Sequence, residues 1–238
     1  MKYAVLTFCR YPAKHRITAF QSMALFRPPL ALNRAMDFFK LLGCSKTGTF
    51  NMQPDWQQYG IFSVSDDDKI PPLNPLHYET WKKEYYGNII TGWWKFCGAE
   101  TFTLVLEPYH SHGKWSGREL FPNVTSKDVE GPIGILTRAS IRFSKAKEFW
   151  NNVAPVQAQM SKAKGLLYSV GIGEMPYLRQ ATFSIWENSE AMKNFAYTMK
   201  AHRDVISKTR ERNWYSEEMF TRFLIQAKAG KLKGEEFI

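Results

Sequence analysis

The stretch PIGILTRASIRF, residues 132–143, sorts its side chains onto two faces. Ile135, Thr137, Ala139, Ile141 and Phe143 share one, and Leu136, Arg138, Ser140 and Arg142 share the other. A period of two predicts a strand with one mostly apolar and one mostly polar face. Ser144 follows as the N-cap of a predicted helix reaching about residue 162, with Phe149 and Trp150 on its early turns and Gly165 as its stop. Residues 166–172 read as a second strand. The turn Gly173-Glu174-Met175-Pro176 leads into a third strand over 179–187, where Ala181, Phe183 and Ile185 oppose Gln180, Thr182, Ser184 and Trp186. From residue 189 to 211 there is neither Gly nor Pro, so a long helix follows, capped by Asn188 or Ser189; residues 218–226 return to strand character. The order is βαββαβ, the ferredoxin-like arrangement.

The first half repeats this order more loosely. Strand-like runs lie at 17–26, 38–43, 60–64 and 101–106, and a helix is expected around 77–86. Proline-rich connections at 27–30 and 70–75 and a loop at 110–122 interrupt the pattern. The expectation is an α+β chain of tandem ferredoxin-like halves: a decorated N-terminal half over 1–128, a C-terminal half over 129–226, and a flexible Lys/Gly/Glu-rich tail over 227–238. Each half leaves one sheet face bare of helices, so the two are expected to pack sheet against sheet in a dimeric α+β barrel-like fold.

At 238 residues the chain can bury a full core. Its aromatic content of 15%, including eight Trp and seventeen Phe, can enclose a flat apolar ligand, although aromatic side chains mostly fill cores. Cys9, Cys44 and Cys97 are isolated, odd in number and without metal-ligand spacing, which fits reduced thiols in a cytoplasmic protein. No apolar run approaches the length of a membrane span, and the first residues turn basic too soon for a secretory signal. The net charge of +10 is uneven: residues 1–50 carry +7, residues 51–130 carry −4 and residues 131–238 carry +7. No nucleic-acid-binding motif accompanies it, so nucleic acid is not expected as a partner. The basic N-terminal fifth suits transient peripheral contact with the inner face of an anionic membrane. Exposed sheet edges and the aromatic surplus leave room for a homo-oligomer.

Most motif-like fragments read as structure. Gly171-Ile-Gly173 lies between two strands rather than between strand and helix, so it is a hairpin or bulge, not a dinucleotide fingerprint. His110-Ser-His112 has no third ligand at suitable spacing and reads as a loop. No elbow motif supports Ser-His-Asp catalysis. Asp66-Asp67-Asp68 lacks the Gly and distal Glu of a calcium loop. Asn123-Val-Thr125 matches a glycosylation sequon that a cytoplasmic chain does not use.

His202 differs. With Phe195, Met199 and Ile206 it forms one helical stripe at i, i+4, i+7 and i+11, so its imidazole points inward. An inward histidine is either a hydrogen-bonded core residue or a ligand. Its stripe offers few hydrogen-bond partners, and the neighbouring strands carry Arg138, Arg142, Arg179, Thr182 and Ser184. A neutral imidazole in an apolar, aromatic pocket is what haem iron takes as a proximal ligand.

The runs at 135–143 and 165–174, then Ala181-Thr-Phe-Ser-Ile-Trp186, Phe195-Ala-Tyr197, Ala201-His202, Lys208-Thr-Arg210 and Trp214-Tyr-Ser-Glu-Glu-Met-Phe220, resemble the spheroidene monooxygenase family of carotenoid-modifying enzymes. Phe39-Lys-Leu-Leu-Gly43, Gly48-Thr-Phe50 and Gly113-Lys-Trp-Ser-Gly117 do so in the first half, and the likeness covers most of residues 36–226. The resemblance implies an oxidoreductase of the dimeric α+β barrel type. It would use dioxygen, an electron donor such as ferredoxin, and heme b (iron) to place an oxo group on an apolar, carotenoid-like substrate. His202 is the position that fits the iron ligand of that barrel class, and Arg138, Arg179 and Arg210 are candidates to pair with haem propionates. Two other readings stay open: a cofactor-free monooxygenase of the same barrel class in which His202 packs, and a non-catalytic carrier of haem or another apolar ligand.

Overall fold

The structure is a computed structural model that describes residues 1–46, 53–160, 163–198 and 208–235. In chain order its elements are β1 (Lys2–Arg10), α1 (Arg16–Leu25), α2 (Arg27–Ala31), β2 (Phe38–Ser45), β3 (Pro54–Asp66), α3 (Tyr78–Cys97) and β4 (Glu100–Gly113). There follow β5 (Ile133–Ile141), α4 (Ala146–Met160), β6 (Leu166–Met175), β7 (Arg179–Trp186), α5 (Ser189–Thr198) and β8 (Tyr215–Gly230). The strands are hydrogen-bonded in the order β1-β3-β2-β6-β7-β5-β8-β4 and close into an eight-stranded antiparallel barrel, an α+β fold. The chain forms two compact units, Met1–Cys44 with Asp55–Glu107 and Ile225–Ile238, and Ser45–Pro54 with Pro108–Leu224.

In the first unit β1 runs antiparallel between β3 and β4, with Lys2 opposite Asp66 and Ala4 opposite Leu106. Ala4 through Cys9 are buried without a break, as befits a strand covered on both faces. Val5 and Cys9 point toward α3, whose Tyr78, Trp81 and Tyr85 recur at helical spacing before a break at Gly87 (φ 80°, ψ 171°), with Trp94 beyond it packed into the same core. Trp81 stacks on Tyr85 at 5.1 Å, and Tyr86 meets Trp94 edge-on at 5.3 Å. The sheet's polar residues on this face are met by phenols. Thr7 Oγ1 lies 2.7 Å from Tyr86 Oη, and Tyr85 Oη sits 3.0 Å from Ser63 Oγ and 2.9 Å from Ser65 Oγ. Gly98 ends the helix with φ 61° while Ala99 N–H reaches back to Trp94 O at 2.9 Å, the closing bond of a left-handed C-cap.

In the second unit β5 is central, with Ile133 opposite Trp186 of β7 and Leu224 of β8. α5 covers one end of it, where Met192 and Phe195 pack on Ile133, Ile135 and Trp186. α4 covers the other end, where Phe149 packs on Ile141 and Trp214. Asn188 Oδ1 accepts Ala191 N–H at 2.8 Å as the cap of α5. A 3-10 turn over Phe143–Lys145 precedes α4, so Ser144 lies within that turn.

Three expectations need correction. Residues 17–26, read as a strand, form α1. Its buried residues are the small Ala19 and Ser22, with Met23 partly buried and Phe26 buried at its C-cap, whereas the bulky Ile17, Phe20 and Leu25 face outward. The first strand is instead Lys2–Arg10, which was not anticipated. The expected flexible tail at 227–238 begins as sheet: β8 continues to Gly230, Ala229 and Leu232 are buried, and Lys231 N–H donates to Thr101 O at 2.9 Å.

Trp94→Ala is expected to cost about 3–5 kcal/mol by opening a cavity in the aromatic layer. Tyr85→Phe should cost about 1–3 kcal/mol by stranding the buried Ser65 hydroxyl and leaving Ser63 Oγ only its 3.4 Å bond to Val5 O. Urea unfolding of both variants beside the parent tests the order and size of these effects.

Candidate functional site

Strand alternation puts Ile133, Ile135, Thr137 and Ala139 of β5 on the face that α5 covers. Ile135 and Ala139 are buried, yet Thr137 between them is exposed. The helical cover is therefore interrupted at mid-strand, between the patch under α5 and the patch under α4. Register sets the neighbours of this gap. Thr137 lies opposite Thr182 on β7 and Phe220 on β8, and Thr182 lies opposite Gly171 on β6. The floor is thus two threonines and a glycine that adds no side chain, with an aromatic ring beside them.

Thr182 Oγ1 and Arg222 Nε on this face are buried without a partner, as are Tyr109 Oη in the patch under α5 and Trp214 Nε1 in the patch under α4. Each such atom costs free energy unless a further group meets it. Arg222 is opposite Ile135, and its guanidinium stands over the Phe220 ring at 5.5 Å. The His112 ring stacks on Phe220 at 5.4 Å, and His110 shares a 2.6 Å hydrogen bond with Ser126 Oγ. Burial, then the charges of Arg222 and His112, push the His110 titration below its ordinary value, so its imidazole is neutral at pH 7. Ser184 Oγ is already engaged, accepting Trp186 Nε1–H at 3.0 Å. A small hydroxylated floor, an aromatic wall and a cation at one edge suit a flat, mainly apolar molecule that carries a carboxylate.

The sequence-predicted residues are not gathered here. His202 lies outside the described residues, as do Met199, Ile206 and the run 48–50. Phe195, the first member of its stripe, packs on Trp186 at 5.2 Å. Arg138 is on the opposite face of β5, beside Met219, and is only 3% exposed. It donates through Nη1 to Glu217 and through Nη2 to Glu174 at 3.4 Å, and lies 5.6 Å from the Trp115 ring. Glu217 also accepts Ser116 N–H at 2.9 Å and Gly117 N–H at 2.6 Å, and Trp115 Nε1–H donates to Glu174 at 2.6 Å. Arg138 thus anchors the loop at 113–118. Gly113 lets that loop pass over β8, because a Cβ there, at φ 86°, would stand 2.2 Å from Glu218 O. Burial works to raise the Glu217 carboxyl, but the two loop N–H groups and Arg138 outweigh it and hold it below the usual carboxylate range. Arg179 and Arg210 are exposed. Among the described residues, no three His, Cys, Asp or Glu side chains cluster as a metal site.

Sequence reasoning missed Thr137 and Arg222. The available signal was a hydroxyl in the middle of an otherwise apolar strand face, and a cation two residues from Phe220 on the facing strand.

No protein-family model matches the sequence. Among curated proteins the chain is similar to spheroidene monooxygenases from three organisms. It is 34% identical over 200 residues to that of Rubrivivax gelatinosus, covering 84% of this chain and 73% of the relative. To that of Rhodobacter capsulatus it is 30% identical over 216 residues, covering 90% and 86%. To that of Cereibacter sphaeroides it is 32% identical over 200 residues, covering 84% of this chain and 59% of the relative's longer sequence. Among solved structures, two of aldoxime dehydratase, one in complex with butyraldoxime, match with TM-scores of 0.59 and 0.58. Each covers 94% of this chain, and 81% and 79% of the respective structure, at 9% identity, which speaks to the fold alone.

Glu217→Gln is expected to destabilise the protein by about 1–3 kcal/mol and to open the loop at 113–118 to protease. Because the folded carboxyl titrates below its ordinary value of 4.5, its stabilisation is complete above that pH and fades as the pH falls through the folded value. In urea unfolding, as the pH is lowered from 4.5, the parent should therefore lose stability more steeply than the Gln variant.

Proposed function

The chain belongs to the spheroidene monooxygenase family, a family of oxidoreductases, and we propose from that premise that it is a haem-dependent monooxygenase acting on an apolar, carotenoid-like substrate. The observation that carries the haem reading is the gap over Thr137, with Thr182 Oγ1 and Arg222 Nε buried and unmet at its floor and edge. These residues fit the group. Gly171 and the threonines leave room for a planar ring system, Phe220 gives it an apolar wall, and Arg222 answers a propionate as a charge-assisted donor. His202 is the proposed iron ligand. Arg222 takes the propionate role ahead of Arg138, which Glu217 and Glu174 already occupy, and ahead of the exposed Arg179 and Arg210.

Haem bound here supplies the one-electron iron chemistry that activates dioxygen. The reaction delivers one oxygen atom to the substrate and the other to water, consuming two electrons from a donor such as ferredoxin and two protons. The chain's own part is to hold and to exclude. The apolar packing of Ile133, Ile135, Trp186 and Phe195 keeps water from one end of the gap, and His110 and His112 at the Phe220 edge offer a route for protons. The order βαββαβ, met twice along the chain, supports reading the barrel as two ferredoxin-like halves.

Absorption spectroscopy of protein reconstituted with haem tests this reading. The parent should show a sharp Soret band, His202→Ala should lose or shift it, and Thr137→Trp, which fills the gap, should abolish binding. Arg222→Ala should weaken binding by about tenfold, the worth of one charge-assisted contact. Equal spectra from all four proteins would sink the assignment, and substrate oxidation by haem-free protein would favour the cofactor-free alternative.

A further inference from the structure

The first unit carries an apolar ridge that the proposed oxidation does not use. Ile17 is 77% exposed, Phe96 75%, Phe20 59% and Trp56 51%. They adjoin one another. Phe20 meets Trp56 edge-on at 6.0 Å, Ile17 is one turn before Phe20 on α1, and Phe96 at the end of α3 is 6.4 Å from the His15 ring at the start of α1. α1 is therefore amphipathic in an inverted sense, with its small residues buried and its bulky apolar ones in water. Scattered apolar residues on a surface need no explanation, but a contiguous aromatic ridge does.

The charge around it is of one sign. Residues 11–36 contain Lys14, Arg16, Arg27 and Arg34, all exposed, and no Asp or Glu. The acid beside Trp56, Asp55, is held by Arg10 at 2.7 Å. Aromatic and aliphatic side chains on a segment whose exposed charges are all cations form the amphipathic surface that lies in a lipid interface, rings at headgroup depth and cations on anionic lipid. A second copy is the poorer fit, because a two-fold contact would set these like charges against each other. Among the described residues no helix is long and apolar enough to cross a membrane, so the contact concerns the surface.

We infer that the α1 face, with Trp56 and Phe96, docks this protein onto an anionic lipid bilayer. The inference rests on these residues alone and not on the haem reading, and its test needs neither haem nor turnover.

The full chain is sedimented with vesicles of phosphatidylcholine, or of phosphatidylcholine with phosphatidylglycerol, at about 0.1 M salt. Partition onto the anionic vesicles is expected to exceed that onto the neutral ones by at least about tenfold. It should fall by at least about tenfold in the triple variant Phe20→Ser, Trp56→Ser, Phe96→Ser, and likewise in Lys14→Glu, Arg16→Glu, Arg27→Glu. These positions are exposed, so the melting temperature should not move. Should a triple variant lose its cooperative melt, brominated phosphatidylglycerol decides instead. It should quench tryptophan fluorescence in the parent and markedly less in Trp56→Phe. Failure of the parent to bind anionic vesicles, binding that ignores the aromatic triple, or quenching that ignores Trp56→Phe overturns the proposal. So does a parent that ignores vesicles but self-associates in lipid-free buffer through the same aromatic residues, since the ridge is then an interface between copies.

Discussion

A hydroxyl or a cation taken out of water must find a partner, and the way each sheet face meets that demand organises the whole structure. In the first unit the answer comes from helix α3. Its tyrosines bring phenol oxygens to Thr7, Ser63 and Ser65, so strand positions that would otherwise weaken a core become cross-links between helix and sheet. In the second unit Arg138 is met by two carboxylates, one of which also gathers the backbone of the loop at 113–118. The Thr182 hydroxyl and Arg222 Nε are among the buried polar atoms that go unmet, and these two lie on the face where Thr137 is left open.

What the sequence made legible follows from how strongly each signal is tied to burial. The alternation at 132–143 was readable because β5 is central and its faces differ, and the helix at 189 was readable from Asn188 and the absence of breakers. The strand at Lys2–Arg10 was hidden because both its faces are buried and it has no polar face to alternate with. α1 was misread because its large apolar residues do not mark its buried side. For the candidate site, periodicity leads only to the expectation of an inward His202 and carries no information about which side chains stand opposite. Arg138 drew attention by its type, whereas Arg222 depends on a register, Ile135 to Arg222, that only the paired strands define.

Family membership and geometry contribute different parts of the functional reading. The relatives assign the chemistry to a class; the gap over β5 is where the second unit leaves a sheet face open. The aldoxime dehydratase structures share the fold at 9% identity, so the barrel tolerates nearly complete replacement of its side chains.

Strand β8 serves two tasks at once. Its residues 217 and 219 stand on the Arg138 side, where Glu217 pins the loop, and residues 220 and 222 stand on the side of the gap. Neighbouring positions on a strand face opposite ways, so one inserted or deleted residue would exchange the two sets, sending the carboxylate to the gap and the ring to the loop. Drift in this segment is thereby confined to substitutions that keep its length, and among descendants of this gene the spacing from Glu217 to Arg222 should outlast the identity of most residues between them.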